Sequence, residues 1–120
     1  MVDKILEVSL LYDFYGQLLT SKQQDVLQLY YYHDLSLGEI AEQLSVSRQA
    51  VYDNIKRAEK LLKSYEEKLK LVEKFLFTKR NIECILESIR FVESKVDDKD
   101  KELLDKIDLI KEIASNVLDV

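Results

Sequence analysis

The apolar positions of residues 36–63, SLGEIAEQLSVSRQAVYDNIKRAEKLLK, fall into two helical stripes joined by a corner. Leu37, Ile40, Ala41 and Leu44 form the first, Val46 lies in the turn, and Val51 and Ile55 open the second. Two short helices crossing at a steep angle must bury such a set. Ala41 is small where the second helix would pass close, and Val46 can plug the corner. Ser36 with Glu39 reads as a capping box that starts the first helix. Ser47 is a good N-cap for the second, its hydroxyl able to accept from an otherwise unpaired backbone N–H. Caps and spacing agree on a helix-turn-helix with its recognition helix attached. Ser45 stands where such a turn often carries glycine; in a left-handed conformation serine would cost about 1 kcal/mol relative to glycine.

Helical periodicity continues on both sides. Residues 2–15 place Ile5, Val8, Tyr12 and Tyr15 on one stripe, with Gly16 positioned to end the helix. Thr20 and Gln23 make a second capping box, opening a helix to about His33 whose inward face is Val26, Leu29 and Tyr30. Beyond Lys63 no stop signal appears. Val51, Ile55, Ala58, Leu62, Tyr65, Leu69, Val72 and Leu76 alternate by four and three, as along a coiled-coil seam. That seam fails at Lys79 and Glu83, and another runs through Phe75, Ile82, Ile89 and Val96, joined by Ile85 and Val92. The pattern predicts a break near Thr78–Asn81, a helix to about Lys95, and a last helix capped by Asp97–Asp100 with the stripe Leu103, Ile107, Ile110, Ala114 and Val117. The predicted fold is all-α: a helical unit over 1–63, with the helix-turn-helix at 36–63 and no wing, then a helical extension over 64–120 for packing and oligomerisation. The extension presents more apolar surface than the 1–62 unit needs, which predicts a two-fold homodimer.

Stepping 100° per residue from Val51 puts Ile55, Ala58 and Leu62 on the buried side of the recognition helix. Gln49, Asp53, Lys56 and Lys60 lie on the far side, flanked by Tyr52, Lys63 and Arg57. Arg48, nearer the core face, can still reach outward from the first turn. In a DNA-reading unit, the N-terminal residues of this helix meet base edges and later basic residues meet phosphate. Arg48 and Gln49 suit guanine and adenine edges, and Tyr52 can stack or bond to phosphate. The candidate nucleic-acid contacts are Ser47, Arg48, Gln49, Tyr52, Lys56, Arg57 and Lys60. Asp53 opposes them unless it reads a cytosine amino group or pairs with Arg57. The plainer alternative is a solvated face, or a helix-turn-helix serving as a protein-binding scaffold.

Charge sharpens this picture. The chain has a net charge of −5, yet residues 46–63 hold five basic residues against Asp53 and Glu59. A basic stripe on an acidic body suits selective docking rather than indiscriminate binding to nucleic acid. Two glycines, no proline and 34% charged residues agree with an all-helical chain. The Tyr30–Tyr32 run reads as one core aromatic with wet neighbours rather than a base-stacking platform. The single histidine, His33, has no ligand partners, and the single cysteine, Cys84, reads as a small apolar residue beside a packed helix face. No phosphate loop, nucleophile–base pair or metal cluster is legible, so neither enzymatic activity nor a cofactor is expected. No apolar run has the length of a membrane span, and no secretory signal opens the chain, which predicts a cytoplasmic protein.

The segments LLYDFYGQLLTSKQ (10–23), LYYYHDLSLGEIAEQLSVSRQAVYDNIKRAE (29–59) and LLKSYEEKLKL (61–71) resemble the YlxM family of small bacterial helix-turn-helix proteins. The likeness covers about Leu6 to Val72. The helix-turn-helix is also similar to the promoter-reading C-terminal domain of bacterial sigma factors. The YlxM resemblance implies participation in, or regulation of, the signal recognition particle pathway, because the family's genes lie beside that of the particle's GTPase. Its implied partners are that particle's RNA and that GTPase. The residues alone leave two other readings open: a dimeric transcriptional regulator that binds operator DNA, and a protein-binding adaptor.

Overall fold

The computed structural model describes residues 2–118, leaving aside the side chain of Val2. The described elements are all helical: α1 (Val2–Tyr15), a 3-10 turn (Gly16–Leu18), α2 (Ser21–Leu27), a π-helical turn (Gln28–Tyr32), α3 (Leu37–Leu44), α4 (Arg48–Leu69), α5 (Leu71–Lys95) and α6 (Lys101–Leu118). They form two compact units, one ending at Val72 and the other beginning at Glu73.

In the first unit, α1, α2 and α3 all pack against α4. The core joins Val8, Leu11 and Tyr15 of α1 with Val26 and Leu27, Ile40 and Ala41, and the α4 stripe Val51, Ile55, Ala58 and Leu62. Both expected capping boxes are present. Thr20 and Ser36 each accept the N–H of the residue three on, while Gln23 and Glu39 reach back to the cap N–H. Gly16 does follow the end of α1, but through space rather than backbone conformation. Its φ is not positive, and a Cβ there would meet the Tyr12 ring at 3.1 Å.

Several expectations are corrected. The second helix does not run regularly to His33; its last turn widens to a π-helix, with His33 N–H donating to the Gln28 carbonyl at 3.1 Å. The wider turn shifts the phase of the face. Tyr31 rather than Tyr30 therefore packs on the core, and Tyr30 stays 37% exposed. The recognition helix does not continue to Thr78–Asn81 either. It stops at Lys70, a left-handed residue (φ 57°), and α5 runs unbroken through 78–81. Leu69 and Leu76 are consequently exposed, although the seam pattern placed them inward. Cys84 is exposed rather than set against a packed face.

The stop at Lys70 is held from a distance. A new helix begins with backbone N–H groups that have no partner within it. Here the Leu71 N–H donates to the Tyr15 hydroxyl at 3.1 Å and the Val72 N–H donates to Glu66 Oε1 at 3.0 Å. Tyr15, almost wholly buried, donates in turn to the same Glu66 oxygen at 2.5 Å. Two side chains thus receive the N–H groups of Leu71 and Val72, which lets Val72 close the core of the first unit.

In the second unit, the inner side of α6 is centred on Ile107 and Ala114, both buried. Leu103, Ile110 and Val117, expected on the same stripe, lie at its margin and stay exposed. Lys111 on the inner side donates to both Glu93 carboxylate oxygens of α5, at 2.9 and 3.2 Å.

Tyr15→Phe removes both the donor to Glu66 and the acceptor for the Leu71 N–H. The expected loss is about 1–3 kcal/mol, measured as a lowered midpoint in denaturant unfolding. Burial, and after it the bond to Glu66, raises the Tyr15 pKa above the ordinary tyrosine value. A raised folded-state pKa contributes stability that is full below the ordinary value near 10 and is lost as pH rises through the raised one. Wild type should therefore weaken with increasing alkalinity above pH 10, and the Phe variant should lack this component of the decline.

Candidate nucleic-acid interface

The turn between α3 and α4 sets the interface. Ser45 is left-handed (φ 57°, ψ 45°), and its N–H donates to the Glu42 carbonyl while the Val46 N–H donates to that of Ala41 at 3.0 Å. These are the two bonds of a Schellman ending, which turns the chain sharply and satisfies the last carbonyls of α3. Val46, next in sequence, packs against the core at the corner. Ser47 then caps α4 by accepting the Ala50 N–H at 3.0 Å. With Val51 fully buried and Ala41 only 8% exposed, the core side of the crossing is closed. The opposite face of α4 is left to solvent.

On that face the candidate residues divide into two groups. Arg48, Gln49 and Tyr52 line one recess together with Leu37 of α3. Their side chains are exposed, but Gln49 is engaged: its amide donates to Asp53 at 3.0 Å. Asp53 therefore has Gln49 as a hydrogen-bond partner, where the sequence offers pairing with Arg57 as one of two alternatives. Ser47 is committed as a cap, although its hydroxyl hydrogen remains available to an acceptor.

Lys56 and Lys60 belong to a second recess further along α4, lined also by Lys4, Lys63, Ser64, Glu59 and Glu67. Lys56 bridges the two groups, its ammonium lying 5.5 Å from the Tyr52 ring centroid and 3.7 Å from Glu59 Oε2. Such a cation above an aromatic face is attracted by the ring's quadrupole. Arg57 is exposed but lines neither recess, since five residues at 100° each carry it about 140° around the helix from Tyr52.

Two residues of this surface escaped the sequence reading. Glu59 is 5% exposed, a buried carboxylate that accepts from the Tyr31 hydroxyl and pairs with Lys4 and Lys56, each at 3.7 Å. Burial, then the bond to Glu59, raises the Tyr31 pKa well above its ordinary value. Glu59 was detectable in principle, because it lies four residues after Ile55 and three before Leu62 on the inward side of α4. Lys4 was not detectable, since only the packing of α1 on α4 brings it there.

The crossing of α3 and α4 about Ser45, with an exposed polar face on the second helix, defines a helix-turn-helix protein, a type built to bind nucleic acid. The chain belongs to the family described as "Putative helix-turn-helix protein, YlxM / p13 like", whose model matches residues 2–107. A UPF0122 protein of Acetivibrio thermocellus is 49% identical over 108 residues, covering 89% of this chain and 92% of its own. One from Halalkalibacterium halodurans is 61% identical over 75 residues, or 62% of this chain and 69% of its own. A third, from Bacillus cereus strain AH187, is 47% identical over 108 residues, with 90% and 97% covered.

Two substitutions test the crossing. Ser45→Gly should raise stability by about 1 kcal/mol by relieving the left-handed serine. Val51→Ala should lower it by about 1–3 kcal/mol through the cavity it leaves. Thermal melts of the two variants beside wild type should move in opposite directions; melts that do not move would contradict the described turn and core.

Proposed function

We propose that the protein is a non-enzymatic regulatory protein that binds nucleic acid through the exposed face of α4. The observation that carries this reading is the order of groups along that face. Arg48, Gln49 and Tyr52, with groups suited to base edges, gather in one recess at the start of the helix, and lysines follow in the next. In this reading Arg48 and Gln49 meet bases, Tyr52 and the Ser47 hydroxyl meet backbone or base, and Lys56, Arg57 and Lys60 meet phosphate. The family likeness adds the setting: a role in the signal recognition particle pathway, with that particle's RNA or GTPase as partner. A dimeric operator-binding regulator is the second reading. It is favoured by the exposed first turn of α4, because B-form DNA offers base edges in a groove wide enough for a helix, whereas A-form RNA hides them.

The triple variant Arg48→Ala, Lys56→Ala, Lys60→Ala should fold and lose most of its binding. Titrations against duplex DNA and against the particle's RNA, each at several salt concentrations, read the outcome. On DNA the slope of log affinity against log salt should flatten by about 0.9 for each phosphate contact removed. A folded variant with the wild-type slope on both ligands would remove these residues from the interface, and tighter binding of either ligand chooses between the two readings.

In both readings we propose that the protein is a homodimer through its second unit. Phe77, Phe91 and Ile113 are 60%, 65% and 56% exposed there, and Ile85, Ile89, Val92 and Ile110 line one apolar recess; contiguous exposed apolar surface marks association sites. Sedimentation at micromolar concentration should give a dimer for wild type and a monomer for Phe91→Lys, Ile113→Lys. A monomeric wild type would refute the dimer.

A further inference from the structure

The recess on α4 beyond the reading end contains more positive charge than the seven candidate residues account for. Lys56, Lys60 and Lys63 follow one another at spacings of four and three, so they share one face of α4, and Lys4 reaches the same recess from α1. Four ammonium groups face two carboxylates, Glu59 and Glu67. Crowding four cations is unfavourable unless something holds them, and Glu59 does so from beneath. It is 5% exposed, accepts from the Tyr31 hydroxyl, and pairs with Lys4 and Lys56, whose side chains remain 49% and 47% exposed. Glu59 is sunk into the protein and Glu67 is exposed, so at the surface four ammonium groups face one carboxylate and the recess is electropositive toward a ligand.

Position along the helix then identifies that ligand. Lys63 lies fourteen residues beyond Gln49, about 21 Å along α4 at 1.5 Å per residue. The major groove of B-DNA is about 12 Å wide. A helix that enters the groove by its first turn, at an angle to the groove, carries Lys60 and Lys63 out to its phosphate wall. We propose that Lys4 of α1 joins Lys60 and Lys63 of α4 in a phosphate clasp that grips the nucleic-acid backbone beside the stretch read by Arg48 and Gln49. Glu59 acts as a positioning residue, holding the Lys4 ammonium against α4. The proposal rests on nucleic-acid binding by the α4 face and extends the interface to Lys63 and to a second helix, α1.

The test uses the full-length protein and fluorescence anisotropy on a mixed-sequence 20-base-pair DNA duplex across a salt series. Lys4→Gln with Lys63→Gln should weaken binding to every duplex sequence alike and flatten the salt slope by about 1.8, two phosphate contacts at about 0.9 each. Lys4→Arg with Lys63→Arg should restore most of the slope, which separates a charge role from a structural one. Thermal melts check that all variants fold. If the Gln pair keeps the wild-type slope while Arg48→Ala, Gln49→Ala weakens binding, the clasp is refuted and the nucleic-acid reading stands. Should wild type bind neither this duplex nor the particle's RNA at any salt, that reading fails and the clasp with it; binding of the RNA alone leaves that reading standing and overturns the clasp on DNA. Preference of the wild-type recess for phosphatidylglycerol vesicles over the duplex would also overturn the assignment, by giving its phosphate another source.

Discussion

The first unit depends on one buried stripe, that of Val51, Ile55, Ala58 and Leu62 on α4, each 3% exposed or less. Three helices pack on this single helix. Each fully buried Val, Ile or Leu contributes about 1.5–3 kcal/mol relative to exposure, so the stripe supplies a large share of what makes the unit cohere. It also decides, by exclusion, which side of α4 is open to solvent. Once that side of α4 faces the core, the side bearing Arg48, Gln49, Tyr52 and the lysines must face solvent, and the steep turn at Ser45 keeps α3 from covering it.

Polar contacts at the edges of this core do a different task. They bind the elements to fixed positions at modest net energy, since a hydrogen bond made in folding replaces one made to water. Just after the left-handed break at Lys70, Glu66 and Tyr15 accept the N–H groups of Val72 and Leu71. Glu59 ties α4 to the π-helical turn through Tyr31 and to α1 through Lys4. A buried carboxylate of this kind contributes registration more than stability, because its desolvation offsets much of its attraction to the lysines. Here registration matters, since it keeps two ammonium groups on the exposed face of α4.

The acidic character of the chain is compatible with this surface. A net charge of −5 opposes non-specific adhesion to nucleic acid. Local presentation of lysines over a sunken carboxylate creates an attractive patch without making the whole molecule basic. Where the positive groups stand is set by the packing of α1 against α4.

Much of this was legible in the sequence because the signals are local. Both capping boxes, the Ser47 cap, the turn at Ser45 and the inward stripe of α4 each depend on residues within about one or two helical turns, where spacing alone decides which side chains meet. The left-handed serine could be anticipated for the same reason. Tertiary structure decided what local spacing leaves degenerate. The seam through Leu69 and Leu76 is as periodic as the part before it, yet α4 stops at Lys70, because Tyr15, fifty-one residues before Glu66, supplies the hydroxyl that makes stopping there favourable. The π-helical turn exchanged Tyr30 for Tyr31 because one widened turn rotates every later side chain. Lys4 reached the candidate interface through the docking of α1, and periodicity within α1 carries no information about which helix it will meet.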